Sequence, residues 1–333
     1  FKWYKELYTI INRMDYANYD YPGTNYTLKK ILEKDITKQI KNFVLSFWTE
    51  KKRFPAPQPV SIERKDFKTL KDENYVVCAK LDGHRFLLAC TTINFSESIY
   101  NVCCLIDRNF DVFLVEQNFC NDWIYEHGTL FDGELCPKKF VIHDTIAIGG
   151  FNMMNKPFNE RWSEANNLLT YCYKTGNHQF DTYLKTFYNL NNIKGLYDYI
   201  EKCKVPNDGL VFYPVKDPIG SGTQYSMFKW KPEGHHTIDF LIKVGKNKKE
   251  HILYCWNRGK NKKFAVTKNI TLNGEIIPNG TVVEYKCEIK DKDYNFIPIR
   301  LRTDKPNGNS FLTVEKTILN IRENIKREEF IKI

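Results

Sequence analysis

A chain of 333 residues with 42% hydrophobic content is long enough for two domains, each with its own core, and it holds no apolar run long enough to span a bilayer. Its net charge of +10, from 50 Lys and Arg against 40 Asp and Glu, favours a polyanionic partner without specifying one. The ten cysteines stand singly or as the pair Cys103-Cys104, with no C-x-x-C spacing, which argues against a zinc ribbon or a thioredoxin-like motif and for free thiols in a reducing, intracellular compartment.

Residues 1–50 read as a helical segment. From Leu28, apolar residues recur at Ile31, Leu32, Ile36, Ile40, Phe43, Val44 and Phe47, with Thr27 as N-cap. Residues 51–61 must run extended, because Pro55, Pro57 and Pro59 each fix their own φ and disfavour helix in the residue before them. Such a segment is suited to lying along the next domain and bracing its site. Residues 75–88 then read as strand, tight loop, strand. From there to about residue 232, β-rich runs at 101–106, 112–115, 129–136, 140–148, 209–213 and 225–230 enclose a helical stretch at 182–202, an α+β domain of largely antiparallel sheets. Five further runs, at 237–244, 251–256, 263–267, 281–289 and 294–302, have Asn273-Gly274 and Asn279-Gly280 among their turns. They predict a small β-barrel of the OB-fold type, and Ile318, Ile321 and Ile325 mark a last amphipathic helix. The predicted division is 1–50, 51–235, 236–311 for the barrel and 312–333 for the helix.

Chemistry concentrates in six segments. In Lys80-Leu81-Asp82-Gly83-His84-Arg85 the tight loop presents a lysine, a candidate nucleophile toward a nucleotide, although such a motif alone is usually a surface hairpin. An amine attacks phosphorus only when neutral, and an unperturbed lysine has a pKa of about 10.4, so neighbouring cations must lower it; Arg85, Lys229 and Lys231 are candidates. In Phe131-Asp132-Gly133-Glu134, strand alternation aims Asp132 and Glu134 to one face, where they can hold a ribose hydroxyl or a hard divalent cation, or simply be solvated. His143, before Asp144 at the end of an apolar run, either stacks on a base or is an ordinary strand-end histidine. Asp208-Gly209 leads into a buried strand and suits a metal or a turn. Lys229 and Lys231 share one strand face, so both ammonium groups can meet phosphate oxygens. Arg300-Leu301-Arg302-Thr303-Asp304-Lys305 again alternates cations, which fits a clamp on β and γ phosphates or a basic edge strand.

In this order the segments resemble the covalent nucleotidyltransferase superfamily, which includes polynucleotide ligases and mRNA capping enzymes. Lys80 to Arg85 resembles its K-x-D-G-x-R nucleophile motif, and the resemblance covers the chain from about Phe54 to its C-terminus. Three features are similar to the capping branch: Phe54-Pro55-Ala56-Pro57-Gln58-Pro59-Val60-Ser61 resembles F-P-G-x-Q-P-V-S, Arg300 to Lys305 has the capping form R-x-R-x-D-K, and Thr237-Ile238-Asp239-Phe240 resembles the segment that opens the capping barrel. The resemblance implies an mRNA guanylyltransferase with a nucleotidyltransferase domain and an OB-fold domain. Lys80 would take GMP from GTP and pass it to the 5′-diphosphate end of RNA. Arg85, Asp132 and Glu134 would bind the ribose side, His143 the base, Lys229 and Lys231 the α-phosphate, and Arg302 and Lys305 the phosphate tail, with Asp304 orienting these cations. Glu134 and Asp208 would serve Mg²⁺ or Mn²⁺. An ATP-dependent DNA or RNA ligase using the same lysine is the alternative enzyme, and a non-catalytic nucleic-acid-binding module the alternative class. The start at Phe1 fits a piece of a longer polypeptide, such as a multifunctional capping enzyme of a large DNA virus or cytoplasmic plasmid with flanking RNA triphosphatase or cap methyltransferase activities.

Overall fold

The computed structural model describes residues 10, 12–48, 54–176, 178–246, 248–290 and 293–333. Backbone contacts divide the described chain into two units. The first takes the residues up to Val60 with Asn74–Asn207 and Val211–Phe228; the second takes Ser61–Glu73, Asp208–Leu210 and Lys229–Ile333.

The first unit contains strands β1 Tyr16–Asp20, β2 Thr27–Ile31, β3 Gln58–Ser61, β4 Tyr75–Leu81, β5 His84–Phe95, β6 Ser98–Ile106, β7 Val112–Val115, β8 Thr129–Cys136, β9 Lys139–Ile148, β10 Phe151–Asn152, β11 Asp181–Leu184 and β12 Tyr188–Asn189, and most of β13 Asn207–Pro214 and β14 Thr223–Trp230. One sheet runs β1-β2-β7-β6-β5-β8-β9-β10, with β11 parallel to β9, and a second runs β12-β4-β13-β14-β3. The larger sheet is apolar on both faces, which is why its strands read as unbroken hydrophobic runs. Along β5, Phe86, Leu88 and Cys90 enter one core with Phe131, Phe140 and Leu168, whereas Leu87, Ala89 and Ile93 enter the other with Ile36, Ile40 and Val44.

The helical reading of the first fifty residues needs correction. Among the described residues helix occurs at Ile10, Asn12 and Arg13 and again at Lys34–Leu45, with the β1–β2 hairpin between them, and Thr27 sits opposite Asp20 in that hairpin rather than at an N-cap; residues 1–9, 11, 49 and 50 of that reading lie outside the described residues. Leu28 and Ile31 imitate a helical stripe because they fill different cores on the two faces of the sheet. The Pro-rich path bends at Phe54 and Ala56 and is a strand only from Gln58, as β3; Lys51 to Arg53 lie outside the described residues. The stretch expected as helix at 182–202 begins as β11, and its helix is Ile193–Cys203. A further helix, Phe158–Cys172, had no sequence signal. Its buried stripe of Phe158, Arg161, Ala165, Leu168 and Cys172 contains an arginine, which breaks the apolar period. Arg161 grips Asp144 with both ends of its fork, Nε to Oδ1 at 2.8 Å and Nη2 to Oδ2 at 3.1 Å. That pair makes Asp144 a packing feature, and it lies within β9 rather than at a strand end as expected.

In the second unit, β15 Thr237–Val244, β16 His251–Asn257, β17 Lys260–Thr267, β20 Val282–Lys290 and β21 Asp293–Leu301 form an antiparallel sheet in the order β17-β16-β15-β20-β21, and β18 Thr271–Leu272 with β19 Glu275–Ile276 forms a small hairpin. The five expected barrel strands are all present. Among the described residues no ladder closes the barrel, but Thr267 Oγ1 and Asn269 Nδ2 donate to Phe296 O at 3.3 and 2.7 Å, bridging the two edge strands near one end. The helix Phe311–Glu323 starts at Ser310, whose hydroxyl accepts from Thr313 N at 3.1 Å, and puts Val314 and Ile318 into the core with Phe240, Tyr285 and Phe296. It stops at Asn324 in a left-handed cap, so Ile325 is buried beyond the helix rather than within it. Among the described residues no helix is long and apolar enough to cross a membrane.

Candidate active site

Lys80 stands one residue from the end of β4, half-buried between two buried neighbours, and the turn Asp82-Gly83 joins that strand directly to β5. A side chain at Gly83 would place Cβ 2.8 Å from Cys136 Sγ, Glu134 Cγ and the Leu135 carbonyl, so only glycine lets the turn lie this close to β8. The closeness has a second effect: Gly83 N donates to Glu134 Oε1 at 3.3 Å, fastening the lysine-bearing turn to the half-buried carboxylate.

Arg85 lies directly opposite Glu134 across the β5–β8 ladder. Its guanidinium is held on Asp132, with Nε to Oδ1 at 3.0 Å and Nη2 to Oδ2 at 2.5 Å, and it lies 5.7 Å from the centre of the Phe54 ring. The Pro-rich segment therefore does brace the site, through Phe54. His143 Nε2 is 3.0 Å from Asp132 Oδ1, and its ring centre is 6.5 Å from that of Tyr213. Asp132, 1% exposed, thus has both oxygens committed to Arg85 and His143, whereas Glu134 on the same strand face remains partly open. Burial alone would raise the Asp132 pKa, but Arg85 and then His143 outweigh it and hold the carboxyl well below its usual range.

Because that pKa is depressed, the charged pair stabilises the fold fully above the unfolded carboxylate value of about 4 and loses its contribution as pH falls toward the lower folded value. Asp132→Asn should accordingly cost about 3 kcal/mol at neutral pH. Denaturant titrations from pH 7 to 2 should find the gap between wild type and variant constant above about pH 5 and narrowing below about pH 4. A gap independent of pH would show that Asp132 acts by shape alone.

Two further cations of this unit had no sequence signal, since each depends on distant chain. Lys185, 5% exposed, follows β11 and sits within hydrogen-bonding reach of Cys78, whose thiol burial pushes up to about 11 against the opposing effect of Lys185. Arg108, exposed on the turn between β6 and β7, stands near the like charge of Arg85 and the opposite charges of Asp132 and Glu134.

In the second unit Lys231 Nζ and Asp208 Oδ2 are 3.0 Å apart, and both groups are partly exposed. Gly209, with φ +144°, is packed so tightly that an added Cβ would fall 1.9 Å from the Trp230 carbonyl. Trp230, between Lys229 and Lys231, turns inward, its indole donating to Ile325 O at 2.9 Å. Lys229 lies on β14 next to Trp230, whereas Lys231 follows the last residue of that strand, so the expected single strand face holds only one of the two lysines. Farther along, Arg302 donates from Nε and Nη2 to Asp304 at 2.9 and 2.8 Å and from Nη1 to both oxygens of Asp239 at 3.2 and 3.1 Å. Lys305 Nζ donates to Asp239 Oδ2 at 2.5 Å. The hydrogen-bonded Asp304, then Asp239, keep the Arg302 guanidinium more firmly protonated than usual, while Arg302 pulls the Asp304 pKa down to about 2. Asp239, 5% exposed, is therefore the anchor of this group. Only its likeness to a family segment marked it in the sequence.

The structure therefore gathers Lys80, Arg85, Asp132, Glu134 and His143 in the first unit, and Asp208, Lys229 and Lys231, then Arg302, Asp304 and Lys305, in the second. Among the described residues no group of three or more His, Cys, Asp or Glu assembles into a metal cage.

Comparison with known proteins adds a second line of argument. A sequence model of the mRNA capping enzyme catalytic domain matches residues 24–233, and one of the mRNA capping enzyme C-terminal domain matches residues 233–331. The mRNA-capping enzyme subunit alpha of Schizosaccharomyces pombe is 27% identical, covering 84% of this chain and 79% of its own. The mRNA-capping enzyme of Caenorhabditis elegans is 28% identical over 80% of this chain and 46% of its own, so the chain spans about half that protein's length. Among solved structures, mycobacterial DNA ligase D complexed with ATP and MES overlaps 77% of this chain and 97% of its own at 10% identity and a TM-score of 0.42.

Proposed function

Since the chain belongs to the mRNA capping enzyme family, we propose that it is an mRNA guanylyltransferase working through a covalent Lys80–GMP adduct. The observation that carries the reading is the Lys80 turn, seated against β8 at Gly83 and hydrogen-bonded to Glu134, with Arg85 locked beside it on Asp132. In the first step the Lys80 amine, having lost its proton, forms a P–N bond to the α-phosphorus of GTP as the bond to pyrophosphate breaks. In the second, a terminal oxygen of the RNA 5′-diphosphate attacks the same phosphorus, the P–N bond breaks and the lysine regains a proton.

The remaining residues take roles their surroundings favour. Arg85 and Glu134 face the ribose, and Asp132 acts as a positioning residue that aims Arg85 and His143. His143, already held near Tyr213, borders the base. Lys229 and Lys231 hold the α-phosphate while Trp230 anchors their strand. Arg302 and Lys305 engage the phosphate tail, with Asp304 and Asp239 orienting them. Glu134 and Asp208 offer two carboxylates without a cage, a donor set that suits a hard divalent ion such as Mg²⁺ or Mn²⁺ completed by phosphate and water. Such an ion would neutralise charge on the reacting phosphates.

The same reading divides the chain into an N-terminal segment at 1–50, a nucleotidyltransferase domain at 51–235, an OB-fold domain at 236–311 and a C-terminal helix at 312–333; the family models, which meet at residue 233, support the boundary near 235. RNA that reaches Lys80 must already carry a diphosphate end. An RNA triphosphatase therefore acts upstream, and a cap methyltransferase downstream, on this or another polypeptide.

The test is to incubate the protein with α-labelled GTP or ATP plus magnesium or manganese, denature it, and look for label on the protein. A GTP-dependent adduct is expected. An ATP-only adduct would make the enzyme a ligase, and no adduct with either nucleotide would favour a non-catalytic binding module.

A further inference from the structure

Positive charge is distributed very unevenly along this chain. Residues 243–268 contain nine Lys and Arg against the single acid Glu250, a net +8 out of +10 for the whole protein. These residues span the end of β15, all of β16 and β17, and the turns joining them.

Strand register shows what the charge surrounds. Residues directly opposite in an antiparallel ladder project to the same face. Tyr254 pairs with Lys263, Trp256 with Asn261, and Lys243 with Ile252. The intervening Leu253 and Cys255 are fully buried in the core with Phe240, so the opposite face, with Tyr254 and Trp256 half-exposed and Lys243, Asn261 and Lys263 exposed, looks outward. Lys243 Nζ lies 5.1 Å from the centre of the Tyr254 ring. Among the described residues, neither Lys243 nor Lys263 forms an ion pair with a carboxylate.

We propose that this outer face of β15, β16 and β17 binds single-stranded RNA, receiving the part of the acceptor that lies beyond its 5′-diphosphate end. The inference rests on RNA being the acceptor. Aromatic side chains two residues apart on a strand stand about 7 Å apart and offer separate π-faces for bases, while the flanking lysines meet phosphates. An acidic protein partner would use the lysines but has no need of two aromatic rings among them. The platform supplies affinity that is independent of sequence and adds nothing to nucleotide activation, so it discriminates acceptors by length.

The test compares a 5′-diphosphate RNA of about 20 nucleotides, longer than one such fold typically covers, with a 5′-diphosphate dinucleotide. The double variant Lys243→Gln/Lys263→Gln keeps both side-chain stems and should form the GMP adduct at the wild-type rate. Its Kd for the long RNA by fluorescence anisotropy, and its KM for that RNA in GMP transfer, should each rise about tenfold, with KM for the dinucleotide unchanged. The slope of log affinity against log salt should fall by about 1.4, or 0.7 for each phosphate contact removed. Tyr254→Ala should weaken long-RNA binding about tenfold and leave the salt slope intact. Unchanged affinity for the long RNA in both variants overturns the proposal, as does an equal loss on both acceptors. Loss of polyglutamate binding with RNA binding retained also overturns it, in favour of an acidic protein partner. Wild-type protein that binds RNA on this face yet forms no GMP adduct would refute the guanylyltransferase reading and leave the platform standing.

Discussion

Lys80→Ala and Lys80→Arg should both abolish the covalent GMP band, each by a factor on the order of 10⁴ or more, the scale seen when a catalytic nucleophile is removed. Alanine removes the attacking atom. Arginine preserves charge and approximate length but cannot lose its proton at any working pH, so it separates a nucleophile from a phosphate-binding cation. Were Lys80 merely a phosphate ligand, the arginine variant would retain substantial activity. The side chain is half-buried at a strand end, flanked by Ala79 and Leu81, which provide the local packing. Both variants should therefore melt within a few degrees of wild type, the usual range for substitutions outside the core. A persistent band in Lys80→Ala would move the nucleophile elsewhere and remove the central claim.

Arg302→Ala should slow adduct formation about 10²- to 10³-fold, a typical cost for losing a group that stabilises charge developing in the transition state. GMP transfer from a purified, preformed adduct should change less than about threefold, because pyrophosphate has already gone and the phosphate tail no longer needs a clamp. The variant is interpretable because of the local ion pairs. When Arg302 is removed, the buried Asp239 keeps Lys305 at 2.5 Å and is not left as an unpaired charge. Asp239→Ala, by contrast, releases Arg302 and Lys305 together and should be the more damaging change for adduct formation. Single-turnover measurements of both steps decide the matter. Equal loss in the two would mean that Arg302 serves the site throughout the cycle.

What could be read from the sequence was what is local. The Lys80 turn, the Asp132/Glu134 strand and the placing of Lys229 on a strand beside Trp230 each depend on residues within a few positions of one another, where turn chemistry and a period of two suffice. The five strands of the second unit were legible for the same reason. Pairings across long separations were not: Arg161 reaches Asp144 from a helix whose own stripe it disrupts, and Lys185 meets Cys78 only after the sheets have formed. The acids show the limit most clearly. Asp132 and Glu134 look equivalent from alternation, but Arg85 and His143 occupy the first and leave the second partly open, a difference in partners that no pattern of spacing carries.

Asp304 is 63% exposed yet occupies two of the arginine N–H groups that a phosphate tail would need. Tethered two residues away, it is an internal competitor at permanently high effective concentration. A ligand must outbid one carboxylate to enter, which a triphosphate, with its extra charge, does more readily than a diphosphate or monophosphate. On the guanylyltransferase reading, departure of pyrophosphate would let the aspartate recapture the fork, and the clamp would reset by exchange of counter-ions.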